Sequence, residues 1–304
     1  MSPWHSCSAK MTSARSFRIP HGIRTSTRGV PWASSAEARR IRAPVLAASA
    51  AARCGAGYVR LVTTSGATAC AHAHLLSIPV SACDQGIWGT LCATSAIQAA
   101  QGLAKSDVIL VGPGMGTSDD SERFLEALSQ DRPMVFDADA LTLIARNHGL
   151  LDMPARHPRI LTPHEGEAAR LLGRKIANRN EDALQIARDY EATVVLKGPE
   201  TLPSTPPCAV CRPSCPTPLG DLRAVVEGGP ELAKAGTGDV LGGMVASFLA
   251  QGLDALDAAT LAVFVHGHAG RAAACELSVH AVMSEDIICK IGSVLLDLEA
   301  EDNS

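Results

Sequence analysis

Residues 108–146 read VILVGPGMGTSDDSERFLEALSQDRPMVFDADALTLIAR. The stretch holds one kind of unit twice. A short, near-continuous apolar run (108–111, then 134–136) enters a loop rich in Gly or Asp. The loop then opens a segment with apolar residues three and four apart. Such runs suit strands covered on both faces, and such segments suit amphipathic helices. Strand, loop and helix in succession predict parallel strands joined by crossover helices. Working outward, residues 59–62, 160–161 and 194–196 add three more runs, and NEDALQIARDYE (180–191) adds another helix. The fold expected is α/β, a mostly parallel sheet with helices on both faces. In such sheets ligands bind off the carboxyl ends of the strands, so the loops after the strands are the place to look for chemistry.

Composition narrows the class. The chain has 304 residues, 46% hydrophobic and 19% charged, with a formal net charge of -4. That balance offers no field for a nucleic-acid backbone. No apolar run reaches the ~18 residues of a membrane-spanning helix. Aromatics are only 3%, so Ala, Val, Leu and Ile must build the core. The ten cysteines are scattered except for CAVCRPSC, with Cys208, Cys211 and Cys215. Three thiols could ligate zinc, but no fourth ligand lies nearby, and free thiols in a loop of a reduced protein are the preferred reading. Residues 1–36 contain no acid but carry Lys10, Arg15, Arg18, Arg24 and Arg28 among many Ser and Thr. The composition suits an organellar transit peptide; a disordered tail or a sequence artefact is preferred, and residues 1–43 are set apart as an aberrant or disordered segment from a single domain over 44–304.

Five loops carry candidate chemistry. VGPGMG offers Gly112, Gly114 and Gly116, which let backbone approach a ligand, although a tight turn needs the same residues; the dinucleotide fingerprint is incomplete. In DADAL, Asp137 and Asp139 admit two readings, water-mediated hold on a divalent ion or a helix cap. In TPHEGE, Thr162 and Glu165 have capping-box spacing and Pro163 suits the first helical position, which leaves His164 facing a ligand or solvent. LKGPET places Lys197 at a strand end, where it can reach an anion. The most informative loop is AGTGDVLGGM. Val240, Leu241, Met244, Val245, Phe248 and Leu249 keep helical period, and Gly252 closes the pattern. Gly236, Thr237, Gly238 and Asp239 therefore open a helix whose free N–H groups form an anion site. An acid there is odd for pure phosphate binding; it suits a base acting on a hydroxyl that attacks the phosphate.

Taken in order, VGPGMG, DADAL, LTPHEGE, LKGPET and AGTGDVLGGM resemble the ADP-dependent NAD(P)H-hydrate dehydratases, a ribokinase-like repair family. CGAGYVRLVT, FVHGHAGRAAA and HAVMSEDII match too, so the resemblance covers about residues 44–296. It implies a ribokinase-like three-layer sandwich and the ADP-dependent return of the S-epimer of hydrated NADH or NADPH (NADHX, NADPHX) to NAD(P)H. AMP and phosphate are the other products. It implies Asp239 as the catalytic and substrate-contacting residue, with Ala43, Gly114, Gly116 and His164 in the substrate site. Lys197, Gly198, Pro199, Glu200, Thr201, Gly236 and Gly238 would bind the nucleotide. Mg2+ would bridge the diphosphate, with ADP as phosphoryl donor, in a cytoplasmic homotetramer without nucleic-acid or membrane partners. Two alternatives stay open: a ribokinase-like kinase of a small alcohol such as a vitamin precursor, and an impaired member that only binds nucleotide. A hydride-transferring dehydrogenase ranks behind both.

Two segments depart from the family pattern. The expected first strand, GGS loop and YPGA segment are replaced by RGVPWASSAEARRIRAPVLAASAAARCGAG, which predicts a missing strand and an exposed sheet edge. Codons that encode residues 32–44 can be chosen so that the frame two bases on reads GVVGGSEAYPGA, which points to a frameshift across about residues 31–43. Likewise, LPSTPPCAVCRPSCPTPLGDL (202–222) stands where a short hairpin is expected.

Overall fold

The computed structural model describes residues 30–34, 41–86, 89–151, 154–198, 208–212, 221–225 and 228–302. Their strands form one nine-stranded sheet. In chain order these are β1 (Val30–Ser34), β2 (Val59–Thr64), β3 (Val80–Cys83), β4 (Ile109–Val111), β5 (Met134–Phe136), β6 (Arg159–Leu161), β7 (Thr193–Lys197), β8 (Cys208–Arg212) and β9 (Asp221–Val225). The spatial order is β3-β2-β1-β4-β5-β6-β7-β8-β9. The first seven strands pair in parallel, and β8 and β9 add an antiparallel pair beside β7.

Both expected departures are corrected. Val30–Ser34 is a strand, and it lies inside the sheet rather than at its edge: Trp32 stands opposite both Leu61 and Leu110. The hairpin expected near 202–222 is also present as β8 and β9, with Val210 opposite Arg223. Cys208 and Cys211 sit on β8 opposite Lys197 and Val194, while Cys215 lies outside the described residues. Strand β3 was not foreseen.

Alternation along each strand splits the core in two. Leu110, Val135, Ile160 and Val195 face one way, toward α1 (Arg42–Arg53), α8 (Thr237–Ala250), α9 (Ala255–Leu277) and α10 (Ser284–Asp302). Val111, Phe136, Leu161 and Leu196 face the other way, toward α3 (Ala93–Gly102), α4 (Asp119–Ala127), α5 (Asp139–Arg146), α6 (Glu165–Leu172) and α7 (Arg179–Asp189). Helix α2 (Ser65–His74) follows β2 and buries Ala67 and Ala71. A period of two along strands with helices on both sides gives three layers. Alanine explains how few aromatics suffice: Ala47, Ala48, Ala50 and Ala51 bury the inner face of α1, so α8 can pack close.

Candidate active site

The carboxyl ends of β4, β5, β6 and β7 converge on the first turn of α8. Chain reversal after β4 requires Gly112: its φ is +127°, and a Cβ there would lie 1.8 Å from the Asp137 carbonyl. That close approach carries Asp137, directly after β5, into the middle of the site. Asp137 is no helix cap, since α5 is capped by Ala138. Its buried carboxylate instead accepts from Lys197 Nζ at 2.8 Å, at the end of β7. The Lys197 side chain is only 18% exposed. Asp139 accepts the Gly116 amide at 2.8 Å, which ties the VGPGMG turn to the DADAL loop.

Helix α8 begins inside the motif, with Gly236 as N-cap at φ +96°. A Cβ there would also meet Leu46 Cδ1 at 2.6 Å and Ser284 Oγ at 2.8 Å. Thr237, Gly238 and Asp239 are thus the first helical turn rather than a preceding loop. Thr237 Oγ1 donates to the carbonyls of Leu232 and Lys234, at 2.6 and 2.9 Å, and fixes the approach to the helix. A Cβ on Gly238 would lie 3.3 Å from Lys197 Nζ, so the ammonium sits against this turn. The first N–H groups of a helix have no partners of their own and favour anions.

Electrostatics couple these groups. Burial first, then Asp137, pushes the half-buried Asp239 carboxyl up to about 7. Burial alone would lower the Lys197 pKa, yet Asp137, Glu167 and Asp239 hold it above the ordinary lysine value. Burial also raises the Glu167 carboxyl, with Lys197 opposing.

The helix start after β6 differs from the expectation by two residues. The N-cap of α6 is His164, whose Nδ1 accepts from the Gly166 and Glu167 amides at 2.9 and 3.2 Å. Glu167 returns a bond from the His164 amide at 2.8 Å, so the capping box is His164–Glu167, not Thr162–Glu165. Pro163 precedes the cap, and its carbonyl accepts the Lys197 amide at 2.8 Å. Burial, then Lys197 and Arg170, lower the His164 pKa, in keeping with a ring that accepts at Nδ1.

Ala43, Gly114, Gly236 and Asp239 line one cavity of about 1270 Å3. Gly116, His164, Lys197, Gly198 and Gly238 are not among its lining residues, although Lys197 Nζ sits against Gly238, next to Asp239; Pro199, Glu200 and Thr201 lie outside the described residues. Sequence reasoning missed Glu167 and His266. Glu167 stands three residues after His164, the capping-box spacing that could have revealed it. His266, on α9, is buried with its Nε2 lacking a hydrogen-bond partner. Burial holds its ring neutral, down to about 4, near Thr237 and Lys197.

The donor chemistry suits magnesium in one particular way. Mg2+ takes hard oxygen ligands, usually one or two carboxylates plus substrate phosphates. Asp137 and Glu167 supply carboxylates beside Lys197, while among the described residues no three or more His, Cys, Asp or Glu close into a metal cage. The residues fit an ion shared with a phosphate chain.

This architecture, with a helix N-terminus and an acid at the carboxyl ends of a parallel sheet, defines the ribokinase-like class. A ribokinase-like superfamily protein from Enterococcus faecalis V583 superposes with a TM-score of 0.73 at 20% identity, over 92% of this chain and 91% of that one. The profile of the NAD(P)H-hydrate dehydratase family matches residues 41–293, and the chain belongs to that family. It is 35% identical over 257 residues to the bifunctional NAD(P)H-hydrate repair enzyme Nnr of Salinibacter ruber, covering 83% of this chain and 45% of that protein. It is 36% identical over 185 residues to the ADP-dependent (S)-NAD(P)H-hydrate dehydratase of Neisseria meningitidis serogroup B, covering 57% and 58%. The chain spans about half the length of these curated relatives.

Proposed function

We propose that this chain dehydrates the S-epimer of NADHX or NADPHX at the expense of ADP, giving NAD(P)H, AMP and phosphate. The observation that carries the reading is Asp239: a carboxylate in the first turn of α8, opening into a cavity of about 1270 Å3. That volume exceeds the ~300–1,000 Å3 of ordinary small-ligand pockets, and it favours a dinucleotide over the small alcohol of the kinase alternative.

Asp239, raised to about 7, takes the proton of the hydrate's ring hydroxyl. The freed oxygen bonds to the terminal phosphorus of ADP, and the bond to AMP breaks. The first-turn amides of α8 and the Lys197 ammonium stabilise charge on the transferring group. The ring carbon–oxygen bond of the phosphate ester then breaks, phosphate leaves with the electron pair as the ring nitrogen's lone pair pushes in, and loss of the adjacent carbon-bound proton restores the dihydropyridine. Asp137 keeps Lys197 charged and placed, and Asp239 and Glu167 face it from α8 and α6. Mg2+, held by Asp137 or Glu167 together with the diphosphate, would supply charge neutralisation. On this reading Ala43 and Gly114, which line the cavity, together with His164 and Gly116, contact the hydrated ring, and Lys197, Gly198, Gly236 and Gly238 contact the nucleotide. The reading extends to a homotetramer in the cytoplasm.

Incubation of the protein with ADP and S-NADHX tests the proposal. Recovery of dihydronicotinamide absorbance, with one AMP and one phosphate per NADH, supports it. Phosphorylation of a small alcohol without such recovery would favour the kinase.

A further inference from the structure

The cavity at Asp239 does not end at the reacting group. It continues along the outer face of α1, where Arg42, Leu46, Ser49 and Arg53 line it at helical spacing. Arg53 stands eleven positions after Arg42. At 1.5 Å and 100° per residue they stand about 16 Å apart along the axis and about 20° apart around it, on one face. Leu46, one turn beyond Arg42, packs beside Gly236, so Arg42 marks the reactive end. The far end is marked by Gln251, at the other end of α8, which donates to the Cys54 carbonyl at 2.8 Å; Arg53 stands there. The other charged or titratable groups on the cavity wall are Lys234, which donates to the His280 carbonyl, together with His74, Cys70, Cys289, Glu285 and Asp239.

We propose that this groove seats the adenosine half of the dinucleotide, with Arg42 at the diphosphate and Arg53 at a ribose 2′-phosphate, so that the enzyme prefers NADPHX to NADHX. The inference rests on the dehydratase reading and adds the substrate's terminal phosphate to it. Three features argue for this occupant. The groove is continuous with Asp239. With both long side chains leaning inward, the ~16 Å between the arginine positions narrows to the one-ribose separation of a dinucleotide's diphosphate and 2′-phosphate. Its two arginines, exposed and with no ion pair among the described residues, are complementary to two separated phosphates. The chain's own residues 1–36 carry no acid and are not complementary to those arginines. Arg53 also sits in the last turn of α1, where a cation favours the helix dipole, so a purely structural role must be separated from recognition.

Steady-state kinetics on S-NADPHX and S-NADHX with ADP, for the wild type, Arg53→Ala and Arg53→Lys, make that separation. The expected wild-type kcat/KM favours S-NADPHX by roughly tenfold, the effect of one charge-assisted phosphate contact. Arg53→Ala brings the ratio near one through KM, and Arg53→Lys keeps part of it. A wild-type ratio near one overturns the inference, as does an Arg53→Ala ratio equal to the wild type with only a lower thermal midpoint. Should the wild type dehydrate neither hydrate, the proposed function fails, and binding of 2′,5′-ADP against 5′-AMP judges the groove separately. Tighter 2′,5′-ADP binding that Arg53→Ala abolishes supports the groove; equal binding overturns it. An Arg53→Glu variant that dissociates an oligomer without moving the ratio assigns the face to a second copy and also overturns it.

Discussion

The two walls of the cleft are built in opposite ways. One wall, where β5, α6, β7 and α8 meet, crowds Asp137, Glu167, Lys197 and Asp239 together and withdraws them from water. The other wall is the outer face of α1, whose inner face is alanine and whose cationic groups stand apart at its two ends. Crowding shifts the proton affinity of neighbours, as chemistry requires; separated cations suit recognition of a long ligand with charges of its own. The difference teaches that substitutions on the first wall should change rate and pH response, and those on the second should change substrate choice.

The sharpest way to break the comparison is Asp239→Asn. On the crowded wall we predict a fall in kcat of about 10³-fold with KM little changed, consistent with loss of a general base. If KM alone moves, Asp239 binds rather than reacts. Next in size is the ion pair. Replacing Lys197 by Met leaves the Asp137 carboxylate buried and unpaired, which should cost about 3–5 kcal/mol in denaturant unfolding. The double variant with Asp137→Asn should recover part of that loss; no recovery means the pair does not act as a unit.

A third prediction concerns pH. Asp239 has a folded pKa near 7, against ~3.9 in an unfolded chain. It therefore holds more protons when folded between those values, and its effect on stability worsens as pH rises from about 4 to about 7. Glu167 acts in the same direction. Asp239→Asn should flatten part of that decline and raise the thermal midpoint at pH 8 relative to the wild type, while wild-type turnover rises through about pH 7 as the base ionises. The smallest effect belongs to the rim: His164→Ala removes the α6 cap and should cost about 1 kcal/mol, read as a lower unfolding midpoint.

Much of the first wall was legible in the sequence. Residues 134–136 are β5 without adjustment, because an all-apolar triplet between Pro133 and Asp137 has clear ends. The loops after β4, β5 and β7 and the first turn of α8 follow from those strands. Strand β1 was not legible. VPWAS is interrupted by a proline, and its place between β2 and β4 comes from tertiary pairing rather than local propensity. β3 was missed because VSAC is short and only Cys83 of its four residues is buried. The α6 cap was misplaced because Thr162 and Pro163 mimic a capping start, whereas the Pro163 carbonyl is committed to Lys197 and the first turn waits for His164. Glu167 went unnoticed for the same reason, since its role depends on which residue caps the helix. The α1 groove leaves only a spacing of arginines in the sequence, and that spacing acquires meaning once α8 is seen to lie beside it.

Isotope tracing tests the central claim most directly. S-NADHX carrying oxygen-18 in its ring hydroxyl, turned over with unlabelled ADP, should deliver the label to the released phosphate, read from its phosphorus resonance. Label found in water instead, with phosphate unlabelled, would mean that the hydroxyl departs without being phosphorylated and that Asp239 does not serve the reaction derived for it.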